Sequence, residues 1–521
     1  MSGADDVTMV TDFARVQARE RPDAAAFWFE GRETSFAELD ARSSQCARAL
    51  LAADVPSGGR VATLCKNTDA FPVLWFGAMK ARACAVPVNT RLAPPEIAAI
   101  VRDSGAGVLL FGQEFADIAN SMRGECPDLR TFVQVEDGRA GLPGFDAWIS
   151  AFPPADPCLE ADPNDDVIQL YTSGTTGLPK GVPLTHANCL SQCRIGWELN
   201  YGRWQPGRSA LLALPVFHVA GAIVAMLAVS QGARAVMVRE IVPAELARVI
   251  AEQRVAYAFL TPTVIHMILA TPECAEADYS ALEQIFYGAA PISEALLRRA
   301  MTRFRCAFTQ VYGMTEACGV VTSLPPERHV PGKLLSCGRP IPGVELRVID
   351  AAGDAVKQGE VGEVAVRSAM VTCGYWRQPE ATRAAIDGDG WYRTGDAGWQ
   401  DADGDLFIHD RVKDMIVSGA ENVYPAEVEN AIDGHPAVSE VAVIGVPDER
   451  WGEAVKAIVV AKPDAPHDAA SIIAWARERI GGFKVPKSVD FVEVLPRNAT
   501  GKVLRRALRE PYWAGERRRV S

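Results

Sequence analysis

Between Thr172 and His186 the chain reads "TSGTTGLPKGVPLTH", directly after the apolar run "DDVIQLY" at 165–171. Three glycines, four threonines, a serine and one lysine fall within fifteen residues. Glycine lets successive backbone N–H groups turn toward one point, and Ser and Thr hydroxyls add donors, so the stretch can form a nest for an anion. The apolar run before it reads as a strand, and a helix after it would aim its positive end at the same charge. Lys180 supplies a point cation. The composition is that of a phosphate-binding loop. It is not a Walker A loop, because Gly174 and Gly177 are too close and Gly181 follows Lys180 where Ser or Thr is required. G-x-G-x-x-G also fails, and for the segment alone a purely structural Gly/Ser/Thr turn remains the alternative.

Outward from this loop, strand-like and helix-like runs alternate. "SFAELDARSSQCARALLAA" has helical period, with Ser35 and Glu38 in capping-box spacing. "RVATLC", "CAVPVN" and "AGVLLFG" read as strands, separated by the helical "DAFPVLWFGAMKAR" and "PPEIAAIVRDSG". The alternation returns from "PAELARVIAEQR" to "AFTQVYG", which implies right-handed βαβ units and parallel sheets covered on both faces. After about Pro340, Gly-rich turns separate short strands, as in a small antiparallel sheet or barrel. There "DADGD" (401–405) invites a calcium reading, but an EF-hand needs Gly and Glu where Leu406 and Val412 stand, so a hairpin turn is expected. Beyond Arg411 lies an α+β set of about 100 residues, a normal domain size. The fold class is therefore α/β: a large N-terminal domain (1–410) with βαβ-type sheets and a small β-barrel-like subdomain, then a small α+β C-terminal domain (411–521).

The 521 residues are too many for one core, and 48% apolar content is ample for two. Net charge is −12, which disfavours nucleic acid as a main partner because phosphate backbones need a basic face. Arg517–Arg519 is the one compact basic cluster, expected to be a solvated tail, with weak peripheral contact to an anionic membrane as the minor alternative. The acidic start lacks a signal-peptide pattern. The longest apolar stretch, Val219–Val229, is well short of the ~20 residues a membrane helix needs. Twelve cysteines occur without a C-x-x-C, so reduced, buried thiols and a cytoplasmic location are expected, and a homodimer is compatible with all of this.

The loop has company. "YTSGTTGLPKG", "VYGMTEA", "YRTGDAG", "DRVKDMIVSGAENVYPAEVE" and "NATGKVLRR" together, and in this order, resemble the signature motifs of the adenylate-forming superfamily of acyl-CoA synthetases, peptide-synthetase adenylation domains and luciferases. The resemblance spans nearly the whole chain and is nearest to bacterial fatty-acyl-CoA synthetases and 4-coumarate-type ligases. It implies that a carboxylic acid attacks the α-phosphate of ATP, giving acyl-adenylate and pyrophosphate. A thiol, usually of coenzyme A, then displaces AMP, and the C-terminal domain rotates between the two steps.

The resemblance also assigns residues. Thr172, Ser173, Gly174, Thr175, Thr176 and Lys180 would hold the β- and γ-phosphates. Glu316 would bind Mg²⁺, which makes sense of a carboxylate beside polyphosphate. Tyr312 would stack on adenine, flanked by Gly313 and Met314, with Thr315 on phosphate and the backbone of Gly288, Ala289 and Ala290 as the opposite wall. Asp396 would take both ribose hydroxyls and Arg411 would contact ribose and phosphate. Lys413 matches the hinge, and Gly419 and Ala420 the coenzyme A loop, where relatives often have a second glycine. Lys502 would approach the α-phosphate, and His218 would gate the pocket or orient the thiol.

Val311, Ala220 and Cys318 fall at the acyl pocket of such enzymes. Val311 stands where coumarate-type ligases often carry glycine, and Ala220 where aryl-acid ligases often carry an aromatic ring, which favours a flexible alkyl chain. Val216–Met226, Thr261, Ala289, Val311 and Cys318 include no Lys or Arg, so a dicarboxylate would strand its second charge. The expected enzyme is an ATP- and Mg²⁺-dependent acyl-CoA synthetase for a medium- or long-chain monocarboxylate. The alternatives are an aryl- or alicyclic-acid ligase, transfer to a carrier-protein thiol, and a silent nucleotide binder.

Overall fold

Strands such as Arg60–Leu64 and Cys84–Pro87 are buried at every position, the signature of parallel strands covered on both faces. The computed structural model describes residues 7–136, 143–172, 179–198, 204–411, 414–418, 421–448, 451–497 and 502–513. Within them, six strands form one sheet in the order Thr131–Gln134, Ala106–Phe111, Arg60–Leu64, Cys84–Pro87, Asp166–Thr172, Lys180–Thr185. All neighbours are parallel except the last pair. A second sheet of nine strands has a parallel centre that includes Val255–Leu260, Gln284–Gly288 and Ala307–Met314. It ends on antiparallel edges. The helix Ala70–Lys80 is buried along its whole length, and a helix apolar all round belongs inside the core. The expected capping box is present: the Glu38 N–H donates to Ser35 Oγ, and the Ser35 N–H donates to the Glu38 carboxylate.

One local expectation is corrected. No helix follows the glycine-rich loop directly. Residues Lys180–Thr185 return as a strand antiparallel to Asp166–Thr172, with Thr172 opposite Lys180, and the helix begins only at His186. The prolines at 179 and 183 and the valine between them disfavour a helical turn there. The two strands that flank the glycine-rich segment therefore pair as a hairpin, and no helix N-terminus follows Lys180 directly.

The small antiparallel sheet is present as Val344–Ile349, Gly362–Ser368, Tyr392–Gln400 and Leu406–Arg411, paired in chain order. After it, a five-stranded sheet begins at Ile416–Ser418 and is packed by the helices Pro425–Asp433 and Ala469–Arg477 through Val428, Ile432, Ile472 and Ala476. The architecture is α/β with a large N-terminal domain, a half-barrel sheet and a small C-terminal domain. Among the described residues no helix is long and apolar enough to cross a membrane. The twelve cysteines are all unpaired, nine of them buried. Arg517–Arg519 lie outside the described residues.

The "DADGD" turn holds a cation of the chain's own. Lys333 Nζ donates to Asp401, to Asp403 at 2.7 Å and to Asp405 at 2.9 Å, and Arg328 also reaches the fully buried Asp405. The hydrogen bond from Lys333 holds the Asp403 carboxyl below its usual range. Carboxylates lowered in this way stabilise the fold above the ordinary carboxylate pKa, and that contribution is lost as pH falls through the lowered value. Lys333→Met is expected to lower Tm at pH 7, with the gap to wild type closing as pH falls below about 4. Scanning calorimetry across pH checks this; a gap that does not change with pH would contradict it.

Candidate active site

The motif residues lie on different elements, and the question is whether the fold gathers them. Two of them touch. Tyr312 Oη donates to Asp396 Oδ2 at 2.6 Å, joining the large parallel sheet to the small antiparallel one. Tyr312 is near the end of Ala307–Met314, and Asp396, 7% exposed, lies mid-strand in Tyr392–Gln400. The Asp396 N–H is held by Thr394 Oγ1 at 3.1 Å, and Asp396 sits opposite Arg411 in the ladder. The backbone of Arg411 is therefore beside the carboxylate expected to take the ribose.

The opposite wall is where the parallel strand Gln284–Gly288 ends, with Gly288 in register with Val311. A Cβ at Gly288 would overlap the Val311 carbonyl oxygen, so glycine is needed there for strand packing and not for a ligand. Ala289 is exposed, with φ +64°, a left-handed conformation that costs a non-glycine residue about 1–2 kcal/mol. Such strain concentrates at binding sites, and here it swings Ala289 and Ala290 off the strand, one residue beyond the Gly288–Val311 pair and level with Tyr312. Gly313 is also obligatory, because a side chain would collide with the Gly319 carbonyl of the return strand. Met314 is half-buried, and Thr315 opens the turn that carries Glu316.

Glu316, 9% exposed, accepts from Tyr375 Oη at 3.1 Å. Among the described residues it pairs with no Lys or Arg. Lys180 Nζ instead sits 4.5 Å from the centre of the Tyr375 ring. The exit of the glycine-rich loop and the Glu316 turn thus meet over one tyrosine. A buried carboxylate paired with no base among the described residues suits a hard cation such as Mg²⁺. Thr172 is half-exposed at the strand end opposite Lys180. Ser173, Gly174, Thr175, Thr176, Lys413, Gly419 and Ala420 lie outside the described residues.

Below the nucleotide residues the apolar side is continuous. Val311 and Cys318 are buried in one cluster with Ile223 and Cys189. Cys318 Sγ is 3.6 Å from Cys189 Sγ. Ala220 is half-buried in the first turn of Val219–Gln231, whose N-cap is His218. The His218 ring meets Phe217 edge-on at 4.7 Å, and its Nε2 is buried with no partner among the described residues. Burial first, then the charge of Arg91, pushes its pKa down to about 4. Arg91 belongs to another part of the chain, so the apolar wall read from the sequence has a cation near its rim. Trp204, 5% exposed, stacks on Tyr257 at 5.7 Å, and its Nε1 is also buried with no partner among the described residues.

Lys502 is half-buried on the small domain, beside Val503, which bridges Arg497. Arg497 ties to Glu440 at 2.8 Å on its own side and reaches Thr263 Oγ1 at 3.4 Å on the large domain, so the strip bearing Lys502 runs along the seam. Sequence reasoning missed Tyr375. Its signal is the pair Tyr375–Trp376 after Gly374, two large aromatics in a loop, where function concentrates more often than packing. A groove of about 920 Å³ near Tyr279 and Arg303 is no rival site. Arg303 is already committed to the carbonyls of Cys274, Ala275 and Ala277, and Arg298 to Glu294.

The AMP-binding enzyme family matches residues 14–376 and the AMP-binding enzyme C-terminal domain matches 427–502. The chain is 38% identical over 509 residues to the fatty acid–[acyl-carrier-protein] ligase ScoC of Streptomyces coeruleorubidus, covering 97% of this chain and 96% of that one. It is 38% identical over 480 residues to the long-chain-fatty-acid–CoA ligase FadD13 of Mycobacterium tuberculosis, covering 92% and 93%. In structure it resembles the anthranilate CoA ligase AuaEII in complex with anthranoyl-AMP, with TM-score 0.90, 29% identity and 98% of each chain covered.

With a pKa near 4, His218 is expected to stay neutral from pH 5 to 8, and a histidine NMR titration should find it flat there. A midpoint near 6.5 would contradict its burial. The low value also means that His218 lowers stability as pH falls from about 6.5 toward 4, because unfolding lets it take a proton.

Proposed function

The chain belongs to the AMP-binding enzyme family and is an acid–thiol ligase, and from that premise we propose that it couples a medium- or long-chain monocarboxylic acid to coenzyme A through an acyl-adenylate. The contact between Tyr312 and Asp396 carries this proposal, because it closes one slot for adenine and ribose between two sheets. In the first step a carboxylate oxygen attacks the α-phosphorus and the bond to the pyrophosphate oxygen breaks. Asp396 accepts from the ribose hydroxyls, with Arg411 beside it, and Ala289, Ala290 and Tyr312 flank the base. Thr172, Ser173, Gly174, Thr175, Thr176 and Lys180 hold the departing phosphates, and Lys502 offsets charge growing at the α-phosphate. Glu316 would hold Mg²⁺, which supplies charge neutralisation on the triphosphate.

In the second step the thiol gives its proton to solvent, its sulfur bonds to the acyl carbon, the acyl–phosphate oxygen bond breaks, and AMP leaves with the electron pair. A neutral His218 is a weak base and suits orientation of the thiol better than deprotonation. We place the hinge at Lys413, between 1–410 and 411–521, and the coenzyme A loop at Gly419 and Ala420. Unpaired, mostly buried cysteines support a cytoplasmic location.

Buried Val311, Cys318 and Ile223 favour an alkyl chain.

Incubation with ATP, Mg²⁺ and a panel of fatty and aryl acids should release pyrophosphate and AMP, then form a thioester with coenzyme A. Release of ADP would refute the proposal, and thioester formed only on a carrier protein would refute the acceptor. Lys502→Ala is expected to slow adenylate formation by about 10²–10³. Thioester formation from supplied acyl-adenylate should be spared, and equal loss in both half-reactions would count against Lys502.

A further inference from the structure

Opposite charges brought to one place tend to pair, yet Lys180 and Glu316 do not pair with each other. Lys180 Nζ lies 4.5 Å from the Tyr375 ring centre, and Tyr375 Oη donates to Glu316 Oε1 at 3.1 Å. The aromatic face takes the ammonium by a cation–π contact, and the hydroxyl takes the carboxylate by a charge-assisted hydrogen bond. One side chain therefore satisfies both charges through two different faces.

Tyr375 is itself fixed. Its N–H donates to Thr382 Oγ1 at 2.9 Å, and its hydroxyl lies 3.5 Å from that of Tyr392, on the strand that bears Asp396. On one side, the Thr372 N–H donates to the Glu316 carbonyl at 2.8 Å and Thr372 Oγ1 donates to the Pro183 carbonyl at 2.6 Å. On the other, the Trp376 N–H donates to the Gly181 carbonyl at 2.8 Å, and its indole is held by the Asp103 carbonyl and covered by the Arg60 guanidinium. Residues 372–376 thus stitch the strand leaving the glycine-rich loop to the turn bearing Glu316.

Resting on the adenylation chemistry above, we propose that Tyr375 is a positioning residue for the metal–triphosphate end of the site. Its hydroxyl fixes the orientation of Glu316, and its ring parks Lys180 so that the two charges remain open to the ligand and do not neutralise each other. A direct Lys180–Glu316 pair would have to break before either group could serve. The ring keeps the lysine close without spending the carboxylate, and the hydroxyl leaves the second carboxylate oxygen for a metal.

The test uses the full chain with Tyr375→Phe, which keeps the ring, and Tyr375→Leu, which removes it. Titration calorimetry of ATP without acid, with Mg²⁺ and with EDTA, reads binding without turnover. Tyr375→Phe is expected to bind Mg²⁺–ATP about tenfold more weakly, the loss of one hydrogen bond to a charged group, with metal-free ATP unchanged. Tyr375→Leu should weaken metal-free ATP as well. Thioester formation from supplied acyl-adenylate should remain within about twofold of wild type for both, again on the scale of a lost contact that this step does not use. Wild-type binding by Tyr375→Phe would overturn the proposal. So would parallel losses in both half-reactions with a lowered Tm, the mark of a merely structural clasp. Should the Leu variant not fold, the Phe variant alone decides. A wild-type chain that binds Mg²⁺–ATP but releases no pyrophosphate with any acid would sink the enzymatic proposal and leave the Tyr375 test standing.

Discussion

The hydrogen bond from Tyr312 Oη to Asp396 Oδ2 joins the small antiparallel sheet to the end of the large parallel one at the candidate site, beside the backbone bridge between Gly338 and Leu406. Parallel strands leave a crevice beyond their C-terminal ends, where the chain turns away and ligands bind. Here Gln284–Gly288 ends opposite Val311, and Ala307–Met314 runs on past it to Met314. Because Gly288 and Gly313 let backbone pass backbone with no room for a side chain, the crevice has a fixed width. The Asp396 strand then caps one side of it.

The phosphate end follows a different logic. The protein carries a net charge of −12, so a polyanion is drawn to it only where local donors outweigh that field. Lys180 and Glu316 stand near one tyrosine with opposite signs and, among the described residues, no mutual pairing. Tyr375 makes that arrangement stable without ligand. The acyl end is different again, with buried Val311, Cys318 and Ile223 and a histidine kept neutral by desolvation. The strand–turn unit 307–318 carries Tyr312, Val311, Glu316 and Cys318, and so touches all three parts of the candidate site.

Much of this was legible in the sequence because each motif pairs special backbone residues with reactive ones. "YGMTEA" and "YRTGDAG" look like turns with unusual side chains, and the alternation of strands and helices gave the layers. The hairpin after the glycine-rich loop was not legible from periodicity, since Lys180–Thr185 is too short to separate strand from helix and only pairing with Asp166–Thr172 decides it. The calcium-like "DADGD" was rightly taken as a turn, but its partner Lys333 lies about seventy residues away and no local pattern announces it. Tyr375 was missed for the same reason: its work lies in contacts to residues 59 and 195 positions distant, which chain order conceals. Arg91, felt by His218 across the fold, is a third case.

We propose one nucleotide slot, bounded by Ala289, Tyr312 and Asp396. A crystal structure of the chain with ATP tests it most directly. Adenine is expected between the Ala289–Ala290 backbone and the Tyr312 ring, with both ribose hydroxyls on Asp396 and the phosphates running toward Lys180. Nucleotide bound at any other surface, or with its ribose turned away from Asp396, would contradict it.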